Sequence, residues 1–159
     1  MTQMPATSSG AGFAAAGIPQ FSVFLENRVG RLIELVTSFD EALIRICALS
    51  VVDSSDHAVI RIITSDATAT RQMLTRLDIT FMESDVLVVC LDQTHTMARM
   101  CQFLLGAELN IRFAYPILAA EQAPPTLALA VDDLTLAAQI LRRKEFRLMA
   151  ENELPKWGE

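Results

Sequence analysis

The chain is poor in the residues that most catalytic machinery needs. It has two histidines, three cysteines, one tryptophan and one tyrosine among 159 residues. His57 and His95 fall in separate predicted turns. No Ser-His-Asp order, nucleophile elbow, phosphate-cradling glycine loop or metal-ligand spacing is present. The sequence therefore reads as a non-enzyme that needs neither metal nor cofactor. Cys47, Cys90 and Cys101 are odd in number, fit no zinc pattern and have apolar neighbours. They read as buried thiols in a reducing cytoplasm. Positive charge is also scarce, with 13 Lys and Arg against 19 Asp and Glu, a net charge of −6 and a pI of 4.9. Nucleic-acid binding rests on clustered cations, so it is excluded as a function. The one basic cluster, Arg142-Arg143-Lys144, suits the negative end of a helix. No apolar run reaches the roughly 18 residues of a membrane helix. The first cationic residue is Arg28, so no basic region of a signal peptide is expected.

What the chain does have is apolar surface. Hydrophobic residues make up 52%, and the mean hydropathy is +0.34. That surplus calls for a well-filled core and a subunit contact. The length suits one ordinary domain or two very small ones.

Residues 1–18 carry no charge and no periodicity, and read as a disordered tail. Gly10-Ala11-Gly12 lacks the preceding strand of a dinucleotide motif and is set aside. Order is expected from a strand at Phe21–Leu25. A helix follows with Leu32, Leu35, Val36 and Phe39 on one face. Strands are expected within Leu43–Val52 and Val59–Ile63, then a helix capped by Asp66 and a strand at Ile79–Met82. The pattern then repeats. A strand at Val86–Leu91 precedes a helix with Met97, Met100, Cys101 and Leu104 on its apolar face. Strands at Leu109–Leu118 and Thr126–Val131 follow, then a helix capped by Asp132 and a closing segment at Phe146–Ala150. The halves superpose at an offset of about 65 residues, Leu32 on Met97 and Phe39 on Leu104. The fold class is α+β: two tandem ferredoxin-like βαββαβ units with antiparallel sheets and helices on one face. Residues 19–84 form the first unit and 85–159 the second. Edge-to-edge joining of the sheets, and stacking on another copy, would cover the helix-free faces.

The elbow between the first strand and helix, LENRVGRL at 25–32, has its own chemical logic. The first N–H groups of a helix have no partner within it and attract a carboxylate. Gly30 would let a ligand approach the backbone, and Asn27 can cap the helix or bond an amino-acid backbone. Glu26, Asp53 and Asp56 would receive an ammonium group. The counterpart in the second half, Asp92-Gln93-Thr94-His95-Thr96-Met97, keeps the elbow without the glycine.

FLENRVGRLIELV followed by IRICALSVVDSSDHAVIRIITSD resembles an ACT domain, and in particular the first half of small tandem-ACT proteins. Glu26, Asn27, Gly30 and Leu32 match the family's E-N-x-P-G-x-L. Ala48, Leu49, Ser50, Asp53, Ser55 and Asp56 match its A-L-S-x-x-D-x-S-D. The opening also resembles the small regulatory subunit of acetolactate synthase. The resemblance implies an effector site for a small amino acid at a domain or subunit interface, formed by Glu26, Asn27, Arg28, Val29, Gly30, Arg31, Leu32, Ser50, Asp53 and Asp56. It further implies a homodimer and a metabolic enzyme as possible partner. Val29 replaces the family proline, which leaves the elbow less preorganised. The second elbow, Asp92, Gln93, Thr94 and His95, departs further and implies a degenerate site, although His95 could supply a contact of its own. The reading is thus an amino-acid-sensing regulatory protein. The alternatives are a regulatory subunit of an amino-acid biosynthetic enzyme, or an oligomerisation module that has lost its ligand.

Overall fold

The computed structural model describes residues 17–26, 28–118 and 121–159. The expected tail therefore lies almost wholly outside the described residues, as does Asn27. The elements run β1 (Ile18–Glu26), α1 (Arg31–Glu41), β2 (Ile46–Asp53), β3 (His57–Thr64), α2 (Ala67–Arg76), β4 (Phe81–Cys90), α3 (Met97–Gly106), β5 (Ile111–Pro116), β6 (Thr126–Val131), α4 (Leu134–Arg143) and β7 (Arg147–Leu148). A single turn of 3-10 helix, Glu151–Glu153, follows. The strands form one antiparallel sheet in the order β2-β3-β1-β4-β6-β5, with β7 also pairing β4. This is the βαββαβ arrangement twice over.

The two units meet in β4. Residues 81–86 pair with β1, in the register Val23↔Phe81 to Ile18↔Val86. Residues 87–90 pair with β6, Leu87↔Leu129 to Cys90↔Thr126. The two short strands expected at Ile79–Met82 and Val86–Leu91 are thus one strand. Ser84 and Asp85 hold extended backbone in its middle, paired with Gln20 and Pro19, because neighbouring strands satisfy their backbone groups and override their weak strand preference. A boundary between 84 and 85 falls inside this strand.

Alternation along the strands separates three cores. On the helix side of the first unit, Phe21, Val23, Ile60 and Ile62 pack on Leu35, Phe39 and Leu74. On the helix side of the second, Leu87, Val89 and Leu129 pack on Met100, Leu104 and Leu141. Each such side chain stabilises by about 1.5–3 kcal/mol when fully buried. The third core joins the helix-free faces, where Ile18, Cys47, Ile63, Val86 and Val88 meet Tyr115, Ala128 and Leu154. The sheet curls enough for Leu118 N–H to donate to the Cys47 carbonyl at 2.7 Å. The chain therefore covers much of its own helix-free surface, where the sequence suggested a second copy. Leu154 brings the C-terminal segment over this core, and the Lys156 ammonium donates to the Ser65 carbonyl at 3.2 Å.

Two local expectations change. Asp133, not Asp132, caps α4, accepting from Leu136 N–H at 2.9 Å. Asp132 instead accepts from Asn110 N–H at 3.1 Å. Cys101 is exposed, while Cys47 and Cys90 are buried. Helix α3 buries Met100 and Leu104, which leaves Cys101, one helical step of about 100° from Met100, beyond the contact.

Candidate functional site

Helix α1 begins differently from its three counterparts. Asp66, Thr96 and Asp133 cap α2, α3 and α4 with their side chains. At α1 the cap position is Gly30, which provides no side-chain hydrogen bond. Its φ of 90° and ψ of −13° are left-handed, a conformation that costs an L-residue about 1–2 kcal/mol. A Cβ built there meets nothing within 4 Å. The glycine is therefore required by the backbone of the elbow. The sequence reading gave Gly30 one role, room for a ligand against the backbone; its left-handed φ adds a second. The second elbow escapes the requirement because its cap, Thr96, has an extended backbone with φ −83° and ψ 161°.

Around this uncapped start lie charged groups on β1, the elbow and α1. The Arg28 Nε–H donates to Glu26 Oε2 at 2.7 Å. This bond and the Arg28 charge hold the Glu26 carboxyl below the usual carboxylate range. The Arg31 Nη1 group donates to Glu34 Oε2 at 2.9 Å. Its Nε–H is buried, and no group among the described residues accepts from it.

Arg31 stands between two clefts. One, of about 320 Å³, runs toward the β2 edge and is lined by Leu25, Glu26, Arg28, Arg31, Leu32, Val51, Asp53, Ala58 and Ile60. The other, of about 330 Å³, runs toward the end of α2 and is lined by Glu26, Arg31, His57, Asp78 and Thr80 with apolar neighbours. Both fall at the small end of ligand-sized sites. The fold thus brings together Glu26, Arg28, Arg31, Leu32 and Asp53 of the expected site, with Gly30 at the helix start. Val29 is fully exposed. Asp56 sits in the turn beyond β2. Ser50 alternates with Val51 and so faces the helix-free side of the sheet, away from the elbow.

The sequence reading missed His57, Asp78 and Thr80. The register of β1 on β3 places His57 opposite Glu26, which follows only once the strand pairing is known. Asp78 and Thr80 belong to a connection whose sequence carries no motif.

The second elbow is closed by its own groups. Asp92 Oδ1 accepts from the backbone N–H of Thr94 at 2.7 Å and of His95 at 2.6 Å. The His95 Nδ1 lies 3.0 Å from the same carboxylate. These bonds, led by the His95 backbone N–H, hold the Asp92 carboxyl below its ordinary value. The His95 ring packs edge-on against Phe146, 5.0 Å between centroids. Gln93 is exposed. A ligand carboxylate here would have to displace Asp92.

A family model described as ACT domain pair matches residues 16–157. Among solved structures, protein BT0572 from Bacteroides thetaiotaomicron is similar with a TM-score of 0.79 and 24% identity, over 87% of this chain and 96% of that one. The ligand-free regulatory subunit of aspartate kinase from Thermus thermophilus is similar with a TM-score of 0.54 and 10% identity, over 86% of this chain and 96% of that one. At these identities the likeness is one of fold. No curated protein matches the chain. Among the described residues no helix is long and apolar enough to cross a membrane, and no group of His, Cys, Asp and Glu is arranged to hold a metal ion.

Proposed function

The chain belongs to the ACT domain pair family, and from that premise we propose that it is a non-catalytic regulatory protein of the cytoplasm that binds a small amino acid at the first elbow. The observation that carries this reading is the combination at the start of α1. Among the described residues, the buried Arg31 Nε–H has no acceptor, and no side chain caps the helix N-terminus beside it. Both favour a carboxylate. Glu26 and Asp53, across the cleft, suit the ammonium group of the same ligand. Asn27 joins them in this proposal from its place in the motif.

The site is half of an interface in this account. Leu32, Ile33 and Val51 expose apolar side chains around the elbow, more than a solvated helix start needs. A second copy covering them would close the cleft, so the active form is a homodimer. Effector binding across that contact would favour one arrangement of the units, and a metabolic enzyme bound to the dimer would respond to it. The saturated second elbow supports a scaffold role for that half.

A thermal-shift screen with the twenty amino acids tests this proposal. At least one should raise the melting temperature of the native protein and fail to do so with Arg31→Gln. Silence across the whole set at millimolar concentration would overturn it.

A further inference from the structure

The helix-free side of the sheet carries a second cationic feature, distinct from the elbow. Arg61 on β3 lies directly opposite Ser50 on β2 and Ser22 on β1. Facing cross-strand residues have Cβ atoms about 4.5–5.5 Å apart, so the Ser22 and Ser50 hydroxyls stand beside the base of the Arg61 side chain, and that of Ser22 accepts from the Gln20 side-chain amide at 3.3 Å. The central guanidinium carbon of Arg61 sits 3.9 Å from the ring centroid of Phe113, which comes from β5 of the other unit. The Arg61 Nε–H is buried, and no group among the described residues accepts from it. Among the described residues no ion pair includes Arg61.

We propose that Arg61, Ser22 and Ser50 form a binding site for a small monocarboxylate at the seam between the two units. A half-buried guanidinium packed on an aromatic ring, with its Nε–H buried, is partly compensated. A carboxylate bonded to Nε–H and a neighbouring Nη–H completes it with a matched pair of charge-assisted bonds. One cation balances one negative charge, so a carboxylate fits better than a phosphate dianion, whose second charge would stay unpaired in a half-buried place. The next row of the same face, two residues along each strand, is Val52, Val59 and Phe24. That row offers an apolar floor for a short aliphatic body. The nearest acid by register, Glu26, is two rows from Arg61, about 13 Å along the strand, at the strand end where it lines the elbow clefts. Among the described strand residues no carboxylate lies in the rows next to Arg61 to balance an ammonium group, so the site selects a plain carboxylate over an amino acid. The same three strands carry the elbow cleft on their other face. A ligand touching both Arg61 and Phe113 would therefore link the spacing of the two units to the strands behind the effector site.

The arginine Nε–H signals of the intact, isotope-labelled protein report this directly. Isobutyrate should shift the Arg61 signal saturably, and more tightly than acetate, inorganic phosphate or glycine. Ser22→Ala with Ser50→Ala should weaken the effect about tenfold, the size expected for lost bonds to a charged group. Arg61→Gln identifies the signal by deleting it; Phe113→Leu identifies it independently by removing the ring beneath it. An Arg61 signal indifferent to isobutyrate, or one that prefers phosphate or glycine, would overturn the proposal. The Arg31 signal follows the elbow in the same spectra, so the two sites succeed or fail separately.

Discussion

Within the proposed ligand site, Gly30 is a residue fixed by its backbone. Its φ is left-handed and its surroundings are open, so replacement should cost backbone strain and nothing else. Gly30→Ala is expected to lower unfolding stability by about 1–2 kcal/mol, read as a lower denaturant midpoint with an unchanged slope. A neutral result would show that the elbow relaxes. The thiols divide in a similarly local way. Burial pushes the Cys47 thiol up to about 11, which leaves little thiolate at neutral pH, and its sulfur lies 3.4 Å from the Pro155 carbonyl beneath the C-terminal segment. Cys101 is exposed. Native protein should therefore react with a thiol reagent at Cys101 alone, and denatured protein at all three cysteines. Fast labelling of Cys47 in native protein would mean that the segment over it opens readily.

At the scale of elements, β4 makes the duplicated fold a single structure. Its first half pairs with β1 of the first unit and its second half with β6 of the second, so neither unit keeps its pairing if the strand is lost. Leu87, fully buried in the second unit's core, begins the half that pairs with β6. Leu87→Ala should cost about 2–5 kcal/mol. By hydrogen exchange the amides of β1 and of β6 should lose protection together. Loss confined to β6 would show that the units open independently. The helices were readable from their apolar spacing, as with Leu35 and Phe39 of α1, and so was Thr126–Val131, a dense apolar run after two prolines. The continuity of β4 was not, because Glu83, Ser84 and Asp85 look like a turn and only their partners on β1 make them strand. The site divides along the same line. Glu26 and Arg31 lie five positions apart in one short stretch of sequence and could be found there. Ser50 was assigned to the elbow by its motif but faces the other side of the sheet, where pairing sets it beside Arg61.

For the whole molecule, the curled sheet places helices outside and the shared core inside, and each face of strands β1, β2 and β3 presents a different chemistry. The outer face holds an arginine beside an uncapped helix start. The inner face holds an arginine stacked across the seam. The two elbows, alike in topology, differ in occupancy of their donors: Asp92 satisfies the second, and among the described residues no side chain caps the helix at the first. The account therefore requires one effector site per chain rather than two, with Arg31 as its carboxylate partner. Calorimetric titration of the responding amino acid is the most direct measurement. One molecule should bind per chain, and Arg31→Gln should abolish the heat while Asp92→Asn leaves it unchanged. Two sites per chain, or binding that survives in Arg31→Gln, would contradict the account.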